Sequence, residues 1–179
     1  MTPSSRRPVA LIGACAAAVL ALAVLGSSAQ AASLAVCTGS EAASFSPAIT
    51  LTSHTGTITY ADAFDCTSND SGAATASSGG TYTGSYSCVD PVSPPGSTGT
   101  LTYTWADSTT SVFSYTTVTG DLFVGGSYVF TAAGTITSGK FNGAAVALVQ
   151  TDPSLSLLQC LTTGISSTTG SLALTITGT

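Results

Sequence analysis

The sequence predicts an all-β fold: a single antiparallel domain of eight or nine strands, arranged as a meander-rich β-barrel, with an immunoglobulin-like β-sandwich as the rival. Three observations carry that expectation. Beyond the N-terminal stretch, apolar residues alternate with Thr or Ser along almost every segment, the period of a strand with one buried face. None of those segments keeps an apolar helical period. Short clusters of Gly, Asp, Ser and Pro interrupt the alternation, as turns between neighbouring strands do.

The N-terminal stretch is of a different kind. Arg6 and Arg7 precede an Ala/Leu/Val-rich run over residues 9–25, and Gly26-Ser27-Ser28-Ala29-Gln30-Ala31 supplies small residues before a cut at Ala31/Ala32. This is the pattern of a secretory signal peptide over residues 1–31, leaving 32–179 as a secreted, extracellular domain. Ser5-Arg6-Arg7 resembles a twin-arginine start, but residues 8–11 fit that motif poorly, which favours the general secretory route. Cys15 lies within the apolar run rather than at its end, so it does not mark a lipoprotein.

The first strands read as residues 44–52 and 55–64, joined near His54, with Ile49 and Leu51, then Ile58 and Tyr60, alternating with threonines. Residues 67–80 read as a Ser/Gly/Ala-rich loop. Tyr82, Tyr86 and Cys88 then share one face, and after a stiffer loop over 91–99 so do Leu101, Tyr103 and Trp105. Residues 112–118, 127–137 and 141–149 continue the pattern, and Leu172, Leu174 and Ile176 close it. Turns are expected at Ala106-Asp107-Ser108, Thr119-Gly120-Asp121 and Ser138-Gly139-Lys140. Residues 153–161 fit a helical turn or a strand equally.

Four cysteines remain after residue 31: Cys37, Cys66, Cys88 and Cys160. An even number in an exported chain reads as two disulfides, and no C-x2-C pair is present to suggest zinc. In the first hairpin, Cys37 and Cys66 leave from the same open end, which favours Cys37–Cys66 and leaves Cys88–Cys160. Cys66–Cys88 is the weaker alternative.

Composition bounds the function. Charged residues are 6% of the 179, against roughly 25% in an ordinary soluble domain, and Ser plus Thr fill about a third. Past the signal, Lys140 is the only cation against eight acids. Such a chain does not neutralise phosphates, which argues against nucleic-acid partners, and it is repelled by anionic lipid. The mean hydropathy is +0.45, yet after signal removal no apolar run is long enough for a membrane span.

Several stretches carry a broader likeness. Cys37-Thr38-Gly39 followed by Phe45-Ser46-Pro47, Gly99-Thr100-Leu101-Thr102-Tyr103-Thr104-Trp105 running to Ser111-Val112-Phe113, Gly134 through Gly143, and Leu158-Gln159-Cys160-Leu161 occur in that order. The chain resembles the small secreted β-rich proteins of actinomycetes, most of them described as hypothetical. The likeness spans nearly the whole secreted domain. It implies a structural framework and no activity, cofactor or site.

Motifs with chemical potential are few. Gly134 to Lys140 fits G-x-x-x-x-G-K, but Phe141 stands where a phosphate loop needs Ser or Thr, and the setting is strands, so it reads as a hairpin turn. His54 is the only histidine, and without a G-x-S-x-G element a Ser/His site has little support. Asp62, Asp65 and Asp70 with Asn69 form the one acidic cluster. Asp65, Asn69 and Asp70 only loosely echo a calcium loop, and Asp62 with Asp65 is the pair a glycosidase reading would use. Tyr60, Tyr82, Tyr86, Tyr103, Trp105 and Tyr115 all fall on strands; as an exposed row they would stack on sugar rings, and the plainer reading places them in the core. Tyr103, Trp105, Tyr82 and Tyr86 are the candidate ligand-binding residues. Asn69-Asp70-Ser71 also fits a glycosylation sequon.

The leading expectation is a non-enzymatic secreted domain without catalytic residues, cofactor or bound metal, acting extracellularly or at the cell surface. The alternatives are a carbohydrate- or cell-wall-binding module using strand aromatics, and a glycoside hydrolase using an acidic pair. The expected partner is a cell-wall polysaccharide or another surface protein.

Overall fold

Alternation gives each strand one face for water and one for a core, and a row of such strands removes its exposed edges by closing on itself. The computed structural model describes residues 32–88, 96–124, 127–153 and 157–178. Eight strands form a closed antiparallel barrel: β1 (Ser33–Ile49), β2 (His54–Ser68), β3 (Thr75–Tyr86), β4 (Thr98–Trp105), β5 (Thr110–Val124), β6 (Ser127–Gly139), β7 (Ala145–Asp152) and β8 (Ile165–Thr177). Each strand pairs with its sequence neighbours, and β8 returns to β1. One short helix, α1 (Leu157–Leu161), precedes β8. The barrel is thus the architecture, and the sandwich is not. The expected signal segment and its cut at Ala31/Ala32 lie outside the described residues.

The strands run longer than local patterning suggests, because pairing on both sides overrides weak turn signals. Residues 67–80 are not a long loop: β2 continues to Ser68, a 3-10 turn spans Ser71–Ala73, and β3 begins at Thr75. Asp70 caps that turn, its carboxylate accepting the Gly72 N–H at 2.8 Å. Thr119-Gly120-Asp121 is not a turn either; Gly120 pairs with Phe130 inside the β5–β6 ladder. Conversely, β7 starts at Ala145, because residues 140–144 turn sharply: Gly139 (φ 85°) and Gly143 (φ 86°) take the left-handed region that glycine tolerates best. The 153–161 stretch resolves as helix in its last five residues.

The inward faces build two apolar clusters. The larger fills the end that carries the β2–β3, β4–β5 and β6–β7 turns, where Tyr103, Phe113, Ile136, Leu174 and Ile176 are fully buried. Tyr103 stacks on Phe113 with centroids 6.2 Å apart, and Phe64 meets it edge-on at 5.8 Å. The indole N–H of Trp105 donates to Ser111 Oγ at 2.8 Å, and that hydroxyl donates to the Lys140 carbonyl at 2.5 Å. The Lys140 ammonium bridges Asp70 (2.9 Å) and Asp107 (2.7 Å), so the residue of the G-x-x-x-x-G-K stretch that would serve phosphate instead ties three turns together. A smaller cluster of Ile49, Ile58, Tyr86, Cys88, Cys160 and Ile165 caps part of the opposite end.

Each end carries one disulfide. Cys37–Cys66 links directly opposed residues of β1 and β2, and Cys88–Cys160 ties the end of β3 to α1. Outward positions such as Thr57, Thr59, Thr81 and Thr83 carry hydroxyls, and Thr59 and Thr81 hydrogen-bond across strands at 3.0 Å. Among the described residues no helix is long and apolar enough to cross a membrane.

Candidate functional site

Period two puts Ala35, Cys37, Gly39, Glu41, Ala43 and Phe45 on the lumenal face of β1, and Ile58, Tyr60, Asp62 and Phe64 on that of β2. An acid on such a face points into the barrel. Register then gathers three of them. Glu41 pairs with Asp62 on β2 and with Gly170 on β8, while Asp152 of β7 lies one step beyond the Thr151–Ser171 pair, opposite Gly170, and pairs with Tyr128 of β6 on its other side. One row of the barrel therefore reads Asp62, Glu41, Gly170, Asp152, Tyr128. Gly170 leaves room there for the Asp152 carboxylate: a Cβ at that position would displace one of its oxygens. Likewise a Cβ on Gly99 would strike the Tyr115 hydroxyl.

These residues line a cavity of about 600 Å³ between the two apolar clusters. Tyr60, Tyr82, Tyr115 and Tyr128 supply its aromatic walls, and Phe45, Ile58, Phe130, Leu148 and Leu172 its apolar floor and ceiling. Tyr60 and Tyr82 meet edge-on with centroids 6.2 Å apart. Consecutive residues of both strands, Gly80-Thr81-Tyr82 and 97–101, border the cavity, so it reaches through the barrel wall there. The reason is visible in the ladder: β3 and β4 share only the pairs Ala76–Trp105 and Ser77–Thr104, and diverge beyond them.

The electrostatics of the lumen are one-sided. Burial, followed by the charges of Asp152 and Asp62, pushes the Glu41 carboxyl up to about 8. Burial raises Asp62 to about 7, and raises Asp152 against a counteracting contact from the Gln150 amide. Tyr60, Tyr82, Tyr103, Tyr115 and Tyr128 are all held above the usual phenol range, chiefly by burial. Among the described residues four buried side-chain polar atoms have no partner: Oε2 of Glu41, Nε2 of His54, Oγ of Ser78 and the hydroxyl of Tyr103. The Tyr103 hydroxyl stands within electrostatic reach of Asp62, Tyr60 and Tyr115, three residues of the cavity lining.

The residues singled out from sequence fall in different places. Tyr82 lines the cavity mouth and is 44% exposed. Tyr103 and Trp105 are buried in the packed end, and Tyr86 is buried in the smaller cluster, its hydroxyl donating to the Pro47 carbonyl at 2.7 Å. These four therefore form no exposed row. Asp62 enters the lumen, whereas Asp65, three residues on, is exposed on the outer face, because an odd spacing changes faces. The two do not form a catalytic pair. Asn69 is exposed and Asp70 is committed to Lys140 and to its own turn. Among the described residues no three His, Cys, Asp or Glu side chains come together as a metal site. His54 sits outside the cavity lining, its Nδ1 3.0 Å from the Thr52 carbonyl and its ring edge-on to Tyr86.

Sequence reading missed Glu41, Asp152, Tyr128 and Gln150. The signal for Glu41 was present: it shares parity with Cys37, the residue whose bridge to Cys66 was anticipated. No family model, curated protein or solved structure matches the chain.

Proposed function

We propose that this chain is a non-enzymatic binding barrel, exported and working outside the cytoplasm, that takes a small polar molecule into its lumen. One observation carries the reading: half the lumen is packed solid, while the other half is an open cavity walled by tyrosines and acids. Its volume falls within the roughly 300–1,000 Å³ of small-molecule sites. Two disulfides suit an oxidising compartment. Acid–base catalysis wants neighbouring groups whose pKa values are pushed apart, as in a glycosidase with one protonated and one ionised carboxylate. Here all three acids are pushed the same way, which supports binding over hydrolysis.

A soluble sugar is the second reading, favoured by Tyr82 at the mouth and by the Gln150 amide inside. The test is ligand-observed NMR with a panel of small amines, sugars and carboxylates, on the wild type and on Ala43→Trp, which places an indole in the cavity. Binding of at least one class to the wild type, lost in Ala43→Trp, is the expected outcome. Binders that engage both proteins equally, or no binder at all, would contradict a lumenal site.

A further inference from the structure

We infer that the lumenal ligand is an organic cation, a small amine or polyamine whose positive charge is spread along its length; the inference rests on the lumenal site proposed above. Glu41, Asp62 and Asp152 reach the lumen from three strands, and Lys140, the only cation among the described residues, is held at the opposite end by Asp70 and Asp107. Nothing in the described lumen balances the acids. Uncompensated buried carboxylates are destabilising, so a partner that brings positive charge is the chemistry they fit.

Independent observations point the same way. The Tyr103 hydroxyl, fully buried and unpartnered within electrostatic reach of Asp62, is a polar acceptor on the side of the packed cluster that feels the lumenal acids. Oε2 of Glu41 is a second vacant acceptor. The faces of Tyr60, Tyr82, Tyr115 and Tyr128 attract a cation through their ring quadrupoles. The acids do not converge on a single point as metal ligands do. Charges distributed around a cavity of about 600 Å³ match a ligand of several atoms with separated charges.

The pH dependence follows from what faces the cavity. Glu41 comes from β1, Asp62 and Tyr60 from β2, Tyr82 from β3, Tyr115 from β5, Tyr128 from β6 and Asp152 from β7; β4 lines the cavity with Gly99, Thr100 and Leu101, and its Tyr103 is buried in the packed cluster. β8 contributes Thr168, Gly170 and Leu172, none of which titrates. The tyrosines stay neutral, so only the carboxylates change charge across the neutral range.

The experiment is calorimetric titration of the oxidised protein with putrescine, spermidine and choline, beside a neutral diol of putrescine's length and glucose. We expect the cations to bind and to tighten roughly tenfold or more between about pH 5.5 and about pH 8.5 as the acids ionise. The diol should not bind, and Glu41→Gln and Asp152→Asn should each weaken the amines roughly tenfold or more. If either variant fails to fold, the melting-temperature gain of the wild type with putrescine over the diol at the two pH values reads the same preference. Diol or glucose binding as tightly as the amines, yet lost in Ala43→Trp, would overturn the cation while leaving the lumenal site. Amines that bind both carboxamide variants unchanged would overturn it as well. No binding by any probe would overturn the cation, and the NMR panel then decides the site separately.

Discussion

The two halves of the lumen obey one alternation and spend it differently. Toward the Lys140 end, inward positions carry Phe64, Tyr103, Trp105, Phe113, Ile136, Leu174 and Ile176, which interlock without polar atoms left over except the Tyr103 hydroxyl. Toward the other, equivalent positions carry Glu41, Asp62, Asp152, Gly80, Gly99 and Gly170, with tyrosines between them. The first half gains stability from every residue. The second sacrifices it, since glycines leave space and buried acids cost free energy that leucines in their place would not. A chain that packs one half so completely has the residues to pack the other, and that contrast is what the proposed lumenal site rests on.

The largest effect should come from opening the packed half. Phe113→Ala removes a fully buried ring that touches Tyr103 and Tyr115, and should cost about 3–5 kcal/mol, read by denaturant unfolding. Reducing the disulfides should come next. On a chain-entropy basis Cys88–Cys160, spanning 72 residues, contributes about 4 kcal/mol.

The cavity half should respond in the opposite direction. A carboxyl whose folded pKa lies above its unfolded value makes the native state the better proton binder, so stability falls as pH rises between the two values. For Glu41 that window runs from 4.5 to about 8, and for Asp62 from 3.8 to about 7. The protein should therefore unfold more readily at about pH 8.5 than at about pH 5. Glu41→Gln should be more stable than the wild type by about 1–3 kcal/mol at the higher pH and nearly equal at the lower. Lower stability of Glu41→Gln at both values would mean that the ionised acid is held by a compensating contact.

The smallest effect belongs to the Lys140 clamp, whose two carboxylates are open to solvent. Lys140 lowers Asp107 to about 2 and also lowers Asp70, so its contribution is present above the usual carboxylate range and is lost as pH falls toward 2. Lys140→Met should shift the melting temperature only slightly at neutral pH, and less still in high salt.

The barrel was legible in the sequence because alternation, turn residues and an even cysteine count are local signals. Cys37–Cys66 followed from one hairpin, and Cys88–Cys160 from what remained. The cavity was not legible, because its acids come from β1, β2 and β7 and meet only through register. Glu41 was overlooked because the first strand was read as starting at residue 44, so the acid seemed to precede it. Asp65 was overvalued because proximity in sequence stood in for a shared face. For the aromatics the plainer of the two readings holds at Tyr86, Tyr103 and Trp105, which closure of the barrel turns into the core, while the exposed row that would have served sugar is not formed.

The most direct measurement is carbon-detected NMR titration of the side-chain carboxyls of Glu41 and Asp62. The account predicts midpoints near about 8 for Glu41 and about 7 for Asp62, in a protein that remains folded throughout. Midpoints in the ordinary range of about 4 for both would show that the acids face bulk water, and would contradict the desolvated lumenal cavity on which the functional reading stands.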